Sequence, residues 1–207
     1  MSHTSNPYAQ SGQWSGGSFW PQAGSTHSPT YGALPTSPIV SSPNVVTFQF
    51  NSSTSGSPLN ASTVTDNTNM YFNVYTTIAN GVRVTAFASP SEGSPFATVE
   101  WTDAKPVVTI RNRVPRQDAT KWILFSHDRS TAALGVGPCF YFWTFQRGGA
   151  KLYKRSETNQ SERLGKVYWS PTTHSLCLDL HVSLLQTPGN LEVFIVAAAL
   201  IQAQVQL

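Results

Sequence analysis

Hydrophobic residues are distributed unevenly along the 207-residue chain. In residues 1–43 aliphatic side chains are almost absent, and a few spaced aromatic residues stand in a background of Ser, Gly, Pro, Thr, Gln and Asn. Such a segment cannot bury enough apolar surface to offset the entropy that it would lose on ordering. The pattern predicts a disordered tail over residues 1–43 and a folded domain over residues 44–207.

From residue 45 onward the pattern changes to short runs of β-branched and aromatic residues, separated by Gly, Pro, Asn and Ser. A polar loop is expected between the first two runs, at residues 51–65. Many short strands without alternating helices are typical of an antiparallel barrel or sandwich. The predicted strands are residues 45–50, 71–77, 82–88, 96–102, 107–110, 122–126, 139–145, 151–153, 167–170 and 176–182.

One turn between these runs carries a clear signal. Asn80 and Gly81 separate two predicted strands. Both central residues of a type I′ turn need positive φ, which Asn and Gly tolerate. The pair therefore predicts a two-residue β-hairpin.

The end of the chain breaks the strand pattern, because every residue from Val193 to Ile201 is apolar. Three consecutive alanines favour a helix over a strand, and an N-cap at Asn190 with Glu192 in the first turn supports it. A helix that is apolar on all sides belongs in a protein core or a bilayer. The run covers only ~14 Å of the ~30 Å bilayer core. We predict a buried central helix at about residues 190–206, in preference to a final strand or a membrane anchor.

The charged residues are distributed unevenly along the chain. The net charge is only +3, and the first charged residue is Asp66. Such a mild balance does not predict a nucleic-acid partner. The N-terminus lacks the pattern of a secretory signal peptide, and no apolar run has the length of a transmembrane segment. The expected location is therefore intracellular, cytoplasmic or peripheral to a membrane, with Cys139 and Cys177 as reduced thiols.

Four basic residues flank a predicted turn at Gly148-Gly149, in a stretch without acids between Asp128 and Glu157. If the strands on either side of the turn pair, the four charges are expected to gather at one hairpin tip. Such a tip can hold phosphate groups through charge-assisted hydrogen bonds. The alternative is a solvated hairpin without a ligand. The four residues are Arg147, Lys151, Lys154 and Arg155.

The predicted strand at residues 176–182 alternates between leucines and polar residues, which predicts one core face and one polar face. Its polar face carries Cys177, Asp179 and His181. Side chains two residues apart on a strand lie ~6.5–7 Å apart, so the three could contribute to a metal or acid–base site. No second group of ligands accompanies them, which favours an ordinary polar face.

Four tryptophans lie in predicted strands and are expected to pack in the core rather than to form a stacking platform for sugars or bases. They are Trp101, Trp122, Trp143 and Trp169. No catalytic residue, cofactor or metal is predicted from the sequence.

Three segments resemble a fungal domain family of the tubby C-terminal-like (LURP-one-related) superfamily, which includes the tubby proteins and the phospholipid scramblases. They are Ala97-Thr-Val-Glu-Trp101, Tyr141-Phe-Trp143 and the terminal run Leu191-Glu-Val-Phe-Ile-Val-Ala. The resemblance covers most of residues 45–207 and none of the tail. It implies a closed or nearly closed antiparallel β-barrel around the C-terminal helix. Tubby domains bind phosphoinositides, which implies an anionic lipid ligand by fold-level analogy alone.

These observations predict a non-enzymatic intracellular binding module for anionic lipid headgroups, with Arg147, Lys151, Lys154 and Arg155 as the ligand residues. The alternative is a protein-interaction or assembly factor that acts through the aromatic low-complexity tail. An enzyme is the third and weakest hypothesis, since no residues form a recognisable catalytic group.

Overall fold

The computed structural model of the chain describes residues 44–52, 57–155 and 162–205. The predicted tail lies outside the described residues. The described part is mainly β, with three helices. The strands are β1 (Val45–Ser52), β2 (Ser62–Thr65), β3 (Met70–Ala79), β4 (Val82–Ala88), β5 (Ala97–Trp101), β6 (Val107–Ile110), β7 (Val114–Asp118), β8 (Ile123–Phe125), β9 (Thr131–Val136), β10 (Cys139–Gln146), β11 (Gly149–Lys154), β12 (Glu162–Ser170) and β13 (Ser175–His181). The helices are α1 (Ala119–Trp122), α2 (Val182–Leu185) and α3 (Asn190–Val205).

The 13 strands of the described residues form one sheet in the order β7-β6-β5-β4-β3-β2-β1-β13-β12-β11-β10-β9-β8. Every pair of neighbouring strands is antiparallel. Neighbours in the sheet are also neighbours in the sequence, except for β1 and β13. This one ladder joins the first half of the sheet to the second, and Phe48 lies opposite Leu178 within it.

The predicted closure of the sheet is wrong, because the sheet is open and ends at β7 and β8. Pro115 lies within β7 and has no N–H to donate to a further strand. The chain then leaves β7 directly through the single turn of α1, and β8 is only 3 residues long. Ala119 and Trp122 of α1 are buried in the common core, so this helix connects the two edges where a strand ladder would close a barrel.

Helix α3 confirms the predicted buried helix. Each residue from Val193 to Ile201 is at most 2% exposed. Because about 3.6 residues complete one helical turn, this unbroken run faces every side of the helix. Protein must therefore surround α3 on all sides, although the sheet is not closed by hydrogen bonds. Asn190 is the first residue of the helix, and its side-chain amide donates to the Leu184 carbonyl oxygen at 3.1 Å.

The strand predictions agree with the structure where large apolar residues are dense. Asn80 and Gly81 have φ values of 52° and 79° and connect β3 to β4, as predicted for the hairpin. Three strands were not predicted, namely β2, β7 and β9. The first of these lies within the expected polar loop at residues 51–65, where Val64 is fully buried. The ends also differ, since Trp122 belongs to α1 and Val182 begins α2.

Candidate functional site

The predicted hairpin exists, because β10 and β11 pair with Gln146 opposite Gly149. Arg147 and Gly148 form the turn between them, and Gly148 has a φ of 87°. A Cβ on Gly149 would lie 2.1 Å from the carbonyl oxygen of Val167, so only glycine allows the neighbouring strand to approach this closely.

The four predicted basic residues do not gather at the tip of this hairpin. Only Arg147 lies in the turn. Lys151 lies opposite Thr144, and Lys154 lies further along, opposite Tyr141. Arg147 and Lys154 are therefore separated by roughly 20 Å, at about 3.3 Å per residue. Nearness in the sequence does not make a cluster here, because the intervening chain is an extended strand.

Lys151 lies beside a second cation on the neighbouring strand, Lys166. The Lys166 ammonium nitrogen is 3.3 Å from a carboxylate oxygen of Asp179 and 3.9 Å from the ring centroid of Tyr168. The charge of Lys166 is thus largely engaged within the protein. Lys151 adds a second positive charge to the same side of the sheet.

The predicted polar face of β13 is part of this ion-pair cluster. The Thr47 hydroxyl donates to Asp179 at 2.8 Å, and the Tyr168 hydroxyl donates to the same oxygen at 3.5 Å. Burial, followed by the charge of Asp179, raises the pKa of Tyr168 to about 12. Cys177 is buried, and the imidazole of His181 contacts Ser183 instead.

These contacts engage the three residues that could have formed a metal or acid–base site. Cys177 and Asp179 both contact Tyr168, His181 contacts Ser183, and none of the three lines the pocket that lies elsewhere in the fold. Within the part of the chain that the structure describes, no group of three or more His, Cys, Asp or Glu residues could hold a metal ion. The arrangement stabilises the sheet through an ion pair and its hydrogen bonds.

The four tryptophans follow the core prediction only in part. Trp122 and Trp143 are buried. Trp101 is half-buried, and its indole nitrogen donates to the Thr85 hydroxyl at 2.8 Å. Trp169 is 44% exposed near the end of β12, so it is not a core residue.

A feature that the sequence analysis missed is an apolar surface on the outer side of β8 to β11. Leu124, Ala133, Phe142 and Tyr153 lie in directly paired positions on four adjacent strands. Phe140 precedes Phe142 by two residues on β10, which places both on the same side of the sheet. We name Leu124, Phe140, Phe142 and Tyr153 the outer apolar row.

The outer apolar row is open to solvent. Phe140 is 64% exposed and Leu124 is 59% exposed. The rings of Phe142 and Tyr153 stack with their centroids 5.4 Å apart and an interplanar angle of 18°. Contiguous exposed apolar surface of this kind marks sites where a protein contacts a partner or a membrane. The register between strands assembles the row, which is why no single segment of sequence revealed it.

Basic residues border the outer apolar row. Arg163 lies opposite Tyr153, and Arg155 follows Tyr153 by two residues on the same side of the sheet, with its backbone N–H donating to the Phe140 carbonyl oxygen at 3.0 Å. Lys154, between them, is exposed at the end of β11 and lies opposite Tyr141. We name Lys154, Arg155 and Arg163 the basic border. One acid, Glu162, lies opposite Lys154. Among the described residues, the ion pairs of the structure involve no member of the basic border.

No helix in the described residues is long and apolar enough to cross a membrane. No protein-family model, curated protein or solved structure matches the chain. The resemblance to the tubby C-terminal-like superfamily therefore remains a prediction.

Proposed function

We propose that this chain is a non-enzymatic binding module that docks on anionic lipid surfaces through the outer apolar row and its basic border. The observation that carries the proposal is an exposed apolar row, with Phe140 64% and Leu124 59% exposed, that ends beside cations without ion-pair partners among the described residues. Aromatic side chains favour the interface between water and hydrocarbon, and cations favour the anionic headgroups above it.

The predicted basic residues contribute unequally to this surface. Lys154 and Arg155 belong to the basic border. Lys151 precedes Tyr153 by two residues on the same side of the sheet, so it supports the same positive field. Arg147 stands apart in the turn between β10 and β11. The proposed surface thus keeps part of the predicted ligand set and adds Arg163.

Co-sedimentation with vesicles tests this proposal. The full chain is expected to bind vesicles that contain phosphatidylserine or phosphoinositides, and to bind neutral phosphatidylcholine vesicles much less. Because each Lys or Arg near an anionic surface contributes about 1 kcal/mol, Lys154→Ala with Arg155→Ala should weaken partitioning by roughly tenfold or more. Phe140→Ser should also weaken it, through loss of the inserted ring.

Two matched controls separate docking from general changes in charge or hydrophobicity. Arg116→Ala with Lys121→Ala removes the same charge from other exposed positions. Ile78→Ser removes an apolar side chain that is 80% exposed on β3. Both controls are expected to bind anionic vesicles like the unchanged protein. Equal binding to neutral and anionic vesicles, or equal losses in the controls, would refute the proposal.

The alternative hypothesis, assembly through the aromatic tail, concerns residues 1–43, which lie outside the described residues. It remains a prediction. Deletion of residues 1–43 tests it, since loss of self-association after deletion supports assembly and unchanged self-association contradicts it.

A further inference from the structure

A pocket of about 870 Å³ lies beside the open edge of the sheet at β8. Its walls come from β8, from the turn between β10 and β11, from β12, from the connection between β5 and β6, and from Ile201 and Gln202 near the end of α3. The volume falls within the roughly 300–1,000 Å³ range of small-molecule sites. The outer apolar row lies on the outside of the same strands, and only Leu124 belongs to both features.

The inner wall of the pocket is apolar, and the other described residues do not cover it. Phe125 and Phe145 stack there, with centroids 5.9 Å apart and an interplanar angle of 10°. Trp169 lies opposite the fully buried Leu176 in the register of β12 and β13, yet it is 44% exposed. An inward-facing indole with this much exposure borders space that the other described residues leave unfilled. Ala150 and Gly149 keep this space open because their side chains are minimal or absent.

The charged side chains that line the pocket are all positive. Lys105 and Arg129 line it, and no described Asp or Glu does. Neither cation takes part in an ion pair among the described residues. The remaining polar side chains of the lining are neutral, namely Thr120, Gln146 and Gln202. A ligand that satisfies this site has an apolar body and an anionic end.

We propose that this pocket binds one single-chain amphiphile with an anionic headgroup, such as a fatty-acid carboxylate. The hydrocarbon chain lies against Phe125, Phe145 and Trp169. The carboxylate accepts charge-assisted hydrogen bonds from Lys105 and Arg129. The proposal rests on the pocket alone and is independent of docking through the outer apolar row.

Isothermal titration calorimetry of the full chain with dodecanoate below its micelle concentration tests the proposal. We expect saturable binding of one dodecanoate per chain. Affinity should rise roughly fourfold with each methylene from octanoate to dodecanoate, as the pocket fills. Dodecyltrimethylammonium, which has the same chain and the opposite charge, is expected to bind much more weakly.

Two sets of variants locate the ligand. Lys105→Gln with Arg129→Asn should weaken dodecanoate binding by roughly fivefold or more and leave 1-dodecanol unaffected. Asn is chosen at position 129 because Arg129 has a φ of 54°, which Asn tolerates. Ala150→Leu should reduce binding of both ligands by filling the pocket. Ala104→Trp, at an exposed position of the lining, serves the same purpose if Ala150→Leu does not fold.

The variant Lys154→Ala with Arg155→Ala is the matched control, because it removes the same charge from the basic border. It should leave dodecanoate binding unchanged, so failure of vesicle docking and failure of the pocket proposal are distinguishable. Absence of saturable dodecanoate binding to the folded protein would overturn the proposal. So would equal affinity for dodecyltrimethylammonium, or unchanged dodecanoate affinity in the Lys105→Gln and Arg129→Asn variant.

Discussion

Gly165 is a residue at which the backbone of the sheet leaves no space for a side chain. A Cβ at this position would lie 2.3 Å from the carbonyl oxygen of Asp179 on the adjacent strand. Backbone cannot move aside as a flexible side chain can, and Gly165 lies beside the bulge in the pairing of β11 and β12. The substitution Gly165→Ala is therefore expected to lower the free energy of unfolding by ~2–3 kcal/mol.

Urea unfolding checks this expectation, with Gly93→Ala as the control. A Cβ on Gly93 would meet no atom within 4 Å, so that variant should stay within ~0.5 kcal/mol of the unchanged protein. Similar losses in both variants would show that the close approach of the strands at Gly165 is not the cause.

The pKa of Tyr168 reports on the ion-pair cluster of Lys166 and Asp179. Burial is the main reason that its pKa is raised to about 12, and the negative charge of Asp179 is the second. The folded-state pKa lies above the ordinary tyrosine pKa of 10.0, so Tyr168 contributes stability that is fully present below pH 10. This contribution is lost as the pH rises through 12. Asp179→Asn should move the ionisation of Tyr168 to lower pH, because it removes the nearby negative charge.

Absorbance at alkaline pH, which reports tyrosine ionisation, measures this shift. Comparison with Tyr168→Phe identifies the signal of Tyr168. Asp103→Asn is the control, because the carboxylate of Asp103 does not contribute to the raised pKa of Tyr168. A titration that Asp179→Asn leaves unchanged would show that the charge of Asp179 does not raise the pKa of Tyr168.

Helix α3 contributes an unbroken run of buried apolar residues, Val193 to Ile201, to the common core. Ile195 is fully buried at its centre. Ile195→Ala should lower the free energy of unfolding by ~2–5 kcal/mol, since it removes buried methyl groups and leaves a cavity. Ile78→Ala removes the same groups from an exposed position and should have little effect. Chemical denaturation measures both, and equal effects would contradict the central role of α3.

Removal of α3 by truncation after Gly189 is a stronger test of the same element. The truncated chain should lose its cooperative thermal transition and its near-ultraviolet circular dichroism, because the inner side of every strand then faces water. A truncated protein that still melts cooperatively would show that the sheet has a core without the helix.

Sequence patterns predict the elements that are specified by residues adjacent to each other in the chain. The turn at Asn80 and Gly81 and the helix from Val193 to Ile201 are specified by residues that adjoin each other. Strand β7 is not specified in this way, because Pro115 and the polar residues around it disfavour a strand until β6 provides a partner. Strand β9 consists largely of small residues, and Ala132 is buried between Trp143 and Phe125, which lie opposite it on the two neighbouring strands.

The candidate sites depend on pairing between strands, which the sequence does not determine locally. The basic residues after Gly149 are close in sequence but extended in space. Conversely, Leu124, Phe142 and Tyr153 are distant in sequence and adjacent in the sheet. A shift of one residue in any of these ladders would turn the row into the core. Register therefore determines where the candidate surface lies, and the register is fixed by the inward-facing residues that pack on α3.

At the scale of the whole molecule, the first and second halves of the sheet meet through the ladder of β1 and β13 and through the core around α3. Buried residues of both halves and of α3 belong to one hydrophobic core. We therefore expect both halves to unfold in one cooperative transition. Phe48 lies in the joining ladder and is 1% exposed. Phe48→Ala should destabilise the whole sheet by ~3–5 kcal/mol rather than β1 alone.

Hydrogen exchange followed by mass spectrometry distinguishes these outcomes. In Phe48→Ala, peptides from β3 to β5 and peptides from β10 to β12 should lose protection by the same factor, because the slowest amides of both halves exchange through global unfolding. Ile78→Ala should leave both sets unchanged. If only peptides around β1 lose protection, the two halves unfold separately. The ladder of β1 and β13 then does not couple their unfolding. The coupling matters for the pocket, since β8 and β12 on one side and the connection between β5 and β6 on the other must stay together to form it.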